Sequence, residues 1–364
     1  MKLVNTDVVV VGAGPAGLSA ALEAAKSGAR VILIDEHDTP GGQLFKQIHK
    51  FFGSKEHKAG VRGIHIAKDL VEQVKQAGVN VLVDSAVWGV FPGFSVGVTI
   101  RDEYSIEIRA PKIIVCTGAA ENTILLEGST LPGVIGAGAA QTLANIHMVR
   151  PGKRALMVGS GNVGLIVTYQ LLQAGVDVVA VVEMLPDIGG YMVHASKIRR
   201  AGVPIYTSST ILKVEGNETV ERAVIAQLDE NRKPIESSIE TLDVDLVCLA
   251  VGLRPMSDIC WMMGCEARNI GNLGGFVPVH DEFMESTVRG LYVAGDISGI
   301  EEASVAMEEG RLAGISASQS LGFLTKGEGD ALRRVCYDRL RDLRSGSHGQ
   351  AFAMAKAELC GKEL

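Results

Sequence analysis

The sequence contains two glycine-rich turns, each followed about 20 residues later by a carboxylate, a combination that can bind phosphate and ribose groups. The first turn is Gly12-Ala13-Gly14-Pro15-Ala16-Gly17, and Asp35 lies 18 residues after Gly17, with Glu36 as the neighbouring alternative. The first glycine of such a turn allows a tight bend, the second lets a pyrophosphate approach the backbone, and the third lets helix and strand pack closely. The pyrophosphate then lies at a helix N-terminus, and the carboxylate accepts hydrogen bonds from a ribose diol. The pattern predicts a dinucleotide site.

The second turn repeats these mechanics. It reads Gly159-Ser160-Gly161-Asn162-Val163-Gly164, and Glu183 lies 19 residues after Gly164. A carboxylate at this position repels the 2′-phosphate of NADP, and residues 184–190 contain no Arg or Lys that would attract it. If a nicotinamide nucleotide binds here, we therefore expect NADH to be preferred over NADPH. The alternative is a turn that keeps its shape after losing its ligand, because fold does not imply function.

A third candidate is an aspartate at the end of an apolar run, Leu291-Tyr292-Val293-Ala294-Gly295-Asp296. A strand ending here would bring Asp296 to the edge of an open α/β sheet, where ligands bind. Residues 301–314 begin a helix just beyond, and its first N–H groups could stabilise negative charge on a reduced cofactor ring. No Ser-His-Asp or Cys-His arrangement occurs in a motif context, so we assign no catalytic acid or base.

The elements that must position these residues form two similar series. Residues 7–12 and 30–35 have the pattern of buried strands on either side of a helix over 15–27, and residues 154–158, 163–174 and 177–183 repeat the order. Each series is a βαβ unit with parallel strands. The sequence therefore predicts an α/β protein with two Rossmann-like domains. Past residue 325, Leu332, Val335, Cys336, Leu340 and Leu343 have helical spacing among arginines, which predicts an appended amphipathic helix.

Composition excludes several classes of protein. The 364 residues carry a net charge of −7, and 47% are apolar, which indicates a globular chain and disfavours binding to nucleic acid or to an anionic membrane. None of the six cysteines forms a C-x-x-C pair, which argues against a zinc ribbon or a redox dithiol. The sequence shows no signal peptide and no apolar stretch of ~20 residues, so we expect a cytoplasmic protein without a membrane span.

Six motifs in order resemble those of the two-dinucleotide-domain flavoproteins, the family of thioredoxin reductase. They are the two glycine turns, Gly41-Gly42-Gln43, Cys116-Thr117-Gly118, Val251-Gly252-Leu253-Arg254-Pro255 and Ala294-Gly295-Asp296. The resemblance implies two three-layer ββα domains, with the second inserted in the first. It implies an FAD-binding domain over residues 1–124 and 255–325, an NAD(P)-binding domain over 125–254 and a helical tail over 326–364.

A narrower resemblance is to the FAD subunits of multi-subunit amine and amino-acid dehydrogenases, such as sarcosine oxidase, proline or hydroxyproline dehydrogenase and opine oxidase. Four segments carry it: Ala86–Phe91, Leu131–Val134, Gly136–Thr142 and Glu309–Gly314. The resemblance implies partners, namely a second flavoprotein that oxidises the amine or amino acid and a small iron–sulfur subunit. This chain would then meet the amine substrate only indirectly.

The resemblance also implies cofactor-binding residues. FAD would be held by Gly12, Gly14, Pro15, Ala16, Gly17 and Asp35 or Glu36 at the pyrophosphate and adenosine ribose, by Gly42, Gln43, Thr117, Gly118, Gly295, Asp296 and Ala303 along the rest of the cofactor, and by Val87 at the adenine. NAD would be held by Gly159, Gly161, Asn162, Val163, Gly164, Glu183 and Gly252.

Two departures from the family pattern narrow the expectation. Residues 137–140 read AGAA where thioredoxin reductases have C-x-x-C, so thioredoxin reductase activity is excluded. The tail contains only Cys336 and Cys360, too few for a four-cysteine cluster, so we expect FAD and no metal.

Three weaker signals have two interpretations each. Cys260 and Cys265 are either a reactive pair or ordinary packing residues. Loop 43–57 is either a lid or docking surface beside the flavin, or a solvated loop anchored by Phe51 and Phe52. The arginines of 333–344 are either a partner contact or a solvated helix face.

The leading hypothesis is an FAD-dependent oxidoreductase that exchanges hydride with NAD(H) and electrons with a partner protein. One alternative is a stand-alone NADH oxidase or diaphorase, or a ferredoxin-linked reductase. The other is a scaffold protein that holds FAD structurally and has a vestigial NAD site.

Overall fold

Residues 2–51 and 54–361 are described by the computed structural model of the chain. The helices are α1 Pro15–Lys26, α2 Gly63–Gln76, α3 Ala137–Asn145, α4 Asn162–Gln173, α5 Met192–Arg200, α6 Asp258–Met262, α7 Ala303–Ser320, α8 Lys326–Leu343 and α9 Gly346–Leu359. The strands are β1 Lys2–Asn5, β2 Val8–Val11, β3 Val31–Ile34, β4 Asn80–Leu82, β5 Ser85–Phe91, β6 Ser95–Ile100, β7 Tyr104–Arg109, β8 Lys112–Val115, β9 Ala119–Glu121, β10 Val134–Gly136, β11 Arg154–Val158, β12 Asp177–Val182, β13 Ile205–Tyr206, β14 Ser209–Glu215, β15 Arg222–Gln227, β16 Glu240–Asp243, β17 Leu246–Leu249, β18 Leu253–Pro255, β19 Ala267–Ile270, β20 Gly275–Pro278 and β21 Leu291–Val293.

The chain divides into two compact units. The first contains residues 1–120 and 254–364, and the second contains residues 121–253. The second unit is thus an insertion between two parts of the first, and the helices after residue 325 belong to the first unit.

The first unit is built on a parallel sheet with strand order β21-β8-β2-β3-β4. Side chains alternate across β2: Val8 and Val10 pack in the core beneath helices α1, α2 and α7, whereas Val9 and Val11 pack in a second core against the sheet β1-β7-β6-β5. The run of valines is buried on both faces because both faces of a parallel sheet are covered. The result is a three-layer ββα arrangement.

Two glycines of α7 let this helix lie against α1. A Cβ placed on Gly310 would be 2.1 Å from the carbonyl oxygen of Ala16, and one on Gly314 would be 2.4 Å from that of Ala20. The two glycines are four residues apart and therefore lie on the same helix face. Helix α1, which starts at the first glycine turn, is held in place by this close backbone contact.

The second unit repeats the layers on a smaller scale. Its parallel sheet has the order β10-β17-β11-β12-β13, and a three-stranded antiparallel sheet, β14-β15-β16, covers one face. Met157 packs with the helices on one side of β11, and Leu156 and Val158 pack with the antiparallel sheet on the other. The predicted α/β class with two Rossmann-like domains is confirmed.

The C-terminal helices add detail to the helical tail expected from the sequence. Helix α8 buries Cys336 and Leu340 but exposes Leu332 and Val335, and Arg333 is only 3% exposed and donates hydrogen bonds to Gln319 and Asp330. Of the two interpretations given for the arginines of 333–344, a solvated helix face does not describe Arg333. Helix α9 lies within the helical tail implied for residues 326–364, and its Ala355 and Leu359 pack against Ile270, Leu273 and Val277. Within the described ranges, no helix has both the length and the apolarity needed to cross a membrane.

Candidate functional site

The first glycine turn has the geometry of a phosphate cradle. Gly12 has φ +97°, and a Cβ there would be 2.3 Å from the carbonyl oxygen of Cys116; a Cβ on Gly17 would be 1.7 Å from that of Gly12. By contrast, a Cβ on Gly14 would have no atom of another described residue within 4 Å, apart from its two neighbours in the chain. Pro15 is the first residue of α1. Gly12 and Gly17 therefore serve packing, while the space over Gly14, at a helix N-terminus, remains accessible to a pyrophosphate.

Asp35 meets this turn directly. It ends the segment that contains β3, is 8% exposed, and its Oδ2 accepts a hydrogen bond from the N–H of Ala13 at 2.6 Å. Its Oδ1 accepts another from the N–H of His37 at 2.9 Å. Glu36 is exposed to solvent. Of the two acids proposed from the sequence, Asp35 is the one that contacts the turn.

The Gly41-Gly42-Gln43 segment lies against the same turn. The N–H of Gly41 donates to the carbonyl of Ala13 at 2.8 Å, and a Cβ on Gly42 would be 2.8 Å from the Cα of Gly14. Gln43 is exposed. The space beside Gly14 is thus bounded by Gly42, which has no side chain to fill it.

Gly295, the residue before Asp296, also lies against the turn. Gly295 has φ +79°, and a Cβ there would be 2.8 Å from the Cβ of Ala16. Burial raises the pKa of Asp296 to about 7. A carboxyl group can donate a hydrogen bond to a phosphate oxygen when it is protonated and accept one from a hydroxyl when it is ionised. Ala303 is the first residue of α7, and its N–H lies in the first turn, where no intrahelical acceptor exists.

The remaining residues assigned to FAD lie on neighbouring segments of the first unit. Thr117 Oγ1 donates to the carbonyl of Met256 at 2.7 Å, and the carbonyl of Gly118 accepts from the N–H of Met256 at 3.0 Å. Val87 is a half-buried residue of β5, and that strand begins at Ser85, whose N–H donates to the carbonyl of Asp35 at 2.9 Å.

The second turn reproduces the cradle in the second unit. Gly159 has φ +103°, with a hypothetical Cβ 2.2 Å from the carbonyl oxygen of Ala250, and a Cβ on Gly164 would be 2.2 Å from that of Gly159. A Cβ on Gly161, like one on Gly14, would have no atom of another described residue within 4 Å, apart from its two neighbours in the chain. Helix α4 begins at Asn162, and Val163 is 41% exposed.

Glu183 contacts the second turn as Asp35 contacts the first. Its Oε2 accepts hydrogen bonds from the N–H of Ser160 at 2.8 Å and from the Ser160 hydroxyl at 2.7 Å. Its Oε1 accepts from the N–H of Leu185 at 3.0 Å. Asn162 Oδ1 accepts from the N–H of Tyr191 at 2.8 Å. Gly252, with φ +103°, accepts from the N–H of Asn122 at 3.0 Å through its carbonyl.

A carboxylate contacts the start of α3, the helix that contains the AGAA segment at residues 137–140. Glu121 accepts hydrogen bonds from the N–H groups of Gly138 at 2.6 Å and Ala139 at 3.2 Å, at the start of α3. A Cβ on Gly136 would be 2.2 Å from the Glu121 carboxylate. An acceptor at a helix N-terminus is favourable, and here it occupies the first-turn donors.

Most cysteines are buried. Cys116, Cys248, Cys260, Cys265 and Cys336 are at most 7% exposed, and burial raises the pKa of the Cys260 thiol above its ordinary value. These environments favour packing over reactivity for the Cys260 and Cys265 pair. Across residues 2–51 and 54–361 there is no cluster of three or more His, Cys, Asp or Glu side chains able to hold a metal.

Loop 43–57 is anchored to the rest of the first unit by a buried histidine as well as by an aromatic residue. Phe51 is 9% exposed, whereas Phe52 lies outside the described residues. His57 is 2% exposed and its Nε2 lies 2.8 Å from Oε1 of Glu308 in α7. Its Nδ1 lies 2.7 Å from the Ser54 hydroxyl.

The sequence pattern missed a buried cluster behind Asp296. Glu309 of α7 is 2% exposed and contacts Gly295, Ser298, Arg344 and Lys356. The sequence did contain one sign of this cluster. Glu309 is a charged residue in a helix that is rich in small residues, within the stretch EEASVAMEEGRLAG at residues 301–314. Its partners lie 35 and 47 residues further along the chain, and no local pattern links them.

Comparisons with known proteins agree with this geometry. A family described as "Pyridine nucleotide-disulphide oxidoreductase" matches residues 6–310. One of the subunits of opine oxidase from Rhizobium meliloti is 30% identical over 338 residues, which cover 87% of this chain and 71% of the relative. The alpha chain of sarcosine oxidase from a Corynebacterium species is 28% identical over 333 residues, but the match covers only 33% of that longer protein.

Among solved structures, L-proline dehydrogenase from P. horikoshii has the same fold. It superposes with a TM-score of 0.70 at 25% sequence identity, and the match covers 93% of this chain and 59% of that one.

Proposed function

Because the chain belongs to the pyridine nucleotide-disulphide oxidoreductase family, whose members bind FAD and depend on pyridine nucleotides, we propose that it binds FAD at the first turn and exchanges hydride with a nicotinamide nucleotide bound at the second. The observation that carries this proposal is the duplicated geometry. In each unit the middle glycine faces free space, and an acid at the end of the next strand contacts the turn.

The residues of the first unit fit FAD by their chemistry. Gly14 and the N-terminus of α1 receive the pyrophosphate, and Asp35 receives the adenosine ribose. Asp296 binds the ribityl hydroxyls or the pyrophosphate, and the N–H of Ala303 lies at the start of α7, where the helix favours negative charge. Bound FAD supplies the ring that accepts or releases hydride. The chain's own residues orient that ring and exclude competing reactions.

The second site favours NADH over NADPH. The Glu183 carboxylate lies at the position expected for the nucleotide ribose, so a 2′-phosphate would face a negative charge. Residues 184–190 provide no cation to offset it. A free ribose diol can donate hydrogen bonds to this carboxylate, whereas a phosphorylated ribose is repelled by it.

We further propose that the chain is the electron-transfer component of an amine or amino-acid dehydrogenase. The relatives named above are subunits of oxidases, which supports a role within a multi-subunit enzyme. In that role a second flavoprotein oxidises the amine, and this chain passes the electrons between its FAD and NAD or another acceptor. A small iron–sulfur protein would connect the two flavins. The cytoplasmic location expected from the sequence stays a prediction.

The experiment is anaerobic reduction of the purified, FAD-loaded chain. We expect NADH to bleach the visible absorbance of the flavin, and NADPH to do so only at much higher concentration. Glu183→Ala should lose this preference, whereas the matched control Asp187→Ala, which removes an exposed acid four residues away, should keep it. Retention of flavin absorbance with both nucleotides would contradict the nicotinamide assignment and favour a protein that only holds FAD.

A second measurement separates the multi-subunit role from the stand-alone alternative. The isolated chain is mixed with NADH and an artificial dye, with oxygen present or absent. A component of a larger enzyme is expected to turn over slowly with oxygen as acceptor. Rapid, sustained NADH oxidation by oxygen alone would identify a stand-alone NADH oxidase instead.

A further inference from the structure

The buried carboxylate of Glu309 joins the C-terminal helices to the segment that presents Asp296. Its Oε2 accepts hydrogen bonds from the N–H of Gly295 at 3.1 Å and from the hydroxyl of Ser298 at 2.8 Å. Its Oε1 accepts from Arg344 at 2.6 Å and from Lys356 at 2.7 Å. One oxygen therefore accepts hydrogen bonds from the segment Gly295–Ser298, and the other accepts them from two cations in the C-terminal helical region.

Both cations make further hydrogen bonds beside those to Glu309. Lys356, on α9 and 6% exposed, also donates from Nζ to the carbonyl of Ser298 at 2.8 Å and to its hydroxyl at 2.9 Å. Arg344, which follows α8, donates through two nitrogens to the carboxylate of Glu301 at 3.0 and 2.6 Å. Each cation is thus fixed by several bonds, which makes its position well defined.

The ionisation of Glu309 depends on these cations. Burial alone favours the neutral acid, but Lys356 and Arg344 outweigh it and lower the pKa of Glu309 to about 2. Removal of one partner of a buried ion pair leaves an uncompensated charge, which is strongly destabilising. A charged acceptor also binds a backbone N–H more strongly than a neutral one does. Loss of a cation would therefore weaken the bond that Glu309 makes with Gly295.

The shape of Gly295–Ser298 matters because Asp296 lies inside it. Gly295 lies against Ala16 of the first glycine turn on one side and bonds to Glu309 on the other. The Ser298 hydroxyl also donates to the carbonyl of Gly295 or to Glu309, so both ends of the segment depend on the same carboxylate. A shift of either end would change the position of the Asp296 carboxyl group.

We propose that Lys356 and Arg344 are positioning residues for FAD, which hold Gly295–Ser298 in its binding shape through Glu309 and, for Lys356, also through its bonds to Ser298. The inference rests on the proposed FAD site. The match to the family ends at residue 310, so both cations come from a part of the chain beyond it. The C-terminal helices then determine how tightly the first unit holds its cofactor, although neither helix is assigned any contact with FAD.

The test compares FAD binding by full-length variants after removal of the cofactor. Lys356→Met removes the charge but keeps the length of the side chain, and Lys356→Arg restores a cation. Leu359→Ala is the matched control, because Leu359 is fully buried in the same helix and lies in the apolar contact rather than in the charge cluster. We expect Lys356→Met to raise the Kd for FAD at least about tenfold, whereas Lys356→Arg recovers most of the loss and Leu359→Ala changes the Kd less than about threefold.

Hydrogen exchange of the cofactor-free protein provides a readout independent of FAD. The Gly295 amide is expected to exchange faster in Lys356→Met than in the wild type, and at the wild-type rate in Leu359→Ala. Equal acceleration in both variants would show that loosening of the tail, not the charge on Lys356, controls the segment, and would overturn the proposal.

A double-mutant cycle tests the route through Glu309. Lys356→Met is expected to raise the Kd much less in a Glu309→Gln background, because a neutral amide no longer needs the cation. Equal effects in the two backgrounds would overturn the route. If Lys356→Met fails to fold, the same comparison is made with Arg344→Met. If the wild type itself binds no FAD, the proposed function fails; if the wild type binds FAD and Lys356→Met binds it equally well, only the positioning role fails.

Discussion

The Oδ2 atom of Asp35 lies 2.6 Å from the backbone nitrogen of Ala13, so the acid and the glycine turn that the sequence separates by 22 residues form one hydrogen-bonded unit. The same relationship recurs between Glu183 and Ser160 in the second unit, at 2.8 Å. Each acid is therefore held next to the glycine whose free space would admit a pyrophosphate. This pairing is the geometric basis of both proposed nucleotide sites.

A side chain added at Gly14 is expected to impair cofactor binding, whereas one added at Gly17 is expected to impair the stability of the fold. Gly14→Val places methyl groups in the free space and should abolish FAD binding while leaving the free energy of unfolding of the cofactor-free protein nearly unchanged. Gly17→Ala places a Cβ 1.7 Å from the carbonyl oxygen of Gly12 and should destabilise the fold by about 3 kcal/mol or more. FAD content and urea unfolding measure the two effects. Wild-type FAD content in Gly14→Val would refute the cradle.

Glu183→Ala is expected to weaken the binding of NADH without affecting the binding of FAD. Loss of the ribose acceptor should raise the NADH concentration needed for half-maximal flavin reduction about tenfold, which corresponds to about 1.4 kcal/mol. The preference for NADH over NADPH should fall, because the repulsion of the 2′-phosphate disappears. Stopped-flow reduction with each nucleotide measures both quantities. An unchanged NADH requirement would identify the second turn as vestigial.

Asp296→Asn is expected to stabilise the cofactor-free protein at high pH. The pKa of Asp296 is raised to about 7 in the folded state, against about 3.9 for an unperturbed aspartate, so the wild type loses stability as the pH rises through this interval. Asparagine has no charge to bury. Its gain should be about 2 kcal/mol at pH ~8.5, allowing for the partial exposure of the site, and should vanish near pH ~4. Urea unfolding at the two pH values checks this.

The same variant should bind FAD less tightly, because the amide cannot replace the carboxyl as both donor to a phosphate and charged acceptor from a hydroxyl. A gain in stability together with a loss of cofactor affinity would mark Asp296 as a binding residue. Tighter FAD binding by Asp296→Asn would count against its assigned role.

His280 is expected to destabilise the protein in mild acid. Burial, followed by the nearby charge of Lys356, lowers the pKa of His280 to about 4, and its Nδ1 donates to the carbonyl of Asp281. The unfolded chain takes up the proton near pH ~6.5 and the folded chain only near pH ~4, so stability that is complete above pH ~6.5 is lost as the pH falls to ~4, by up to about 3 kcal/mol.

His280→Asn should remove this part of the pH dependence while it keeps a donor near the Asp281 carbonyl. Unfolding free energies near pH ~7 and pH ~5 for the variant and the wild type provide the measurement. Parallel pH profiles would mean that His280 takes up its proton equally in both states. Because Asp296 contributes with the opposite sign over part of this range, the comparison is between variant and wild type rather than the raw profile.

The family and the α/β class can be predicted from the order of the amino acids alone, because the signals for both are local. A tight turn with positive φ requires glycine at Gly12 and Gly159, and strands buried on both faces require continuous apolar runs such as Val8–Val11. These signals lie within about 25 residues of one another, which is close to the length of a βαβ unit. The absence of C-x-x-C is likewise a local fact of the sequence.

The charges that are buried together could not be predicted from the sequence, because they meet only in the folded chain. In the sequence, Glu309, Arg344 and Lys356 look like solvated helix residues. Arg333 is buried, although a solvated face was one of the two interpretations of its arginine-rich helix. Helical spacing shows which residues share a face, but not which face meets the rest of the protein when a helix carries apolar residues on two sides, as α8 does. Partners that lie 35 and 47 residues apart are brought into contact by the docking of α8 and α9, and burial then makes each charge depend on the others.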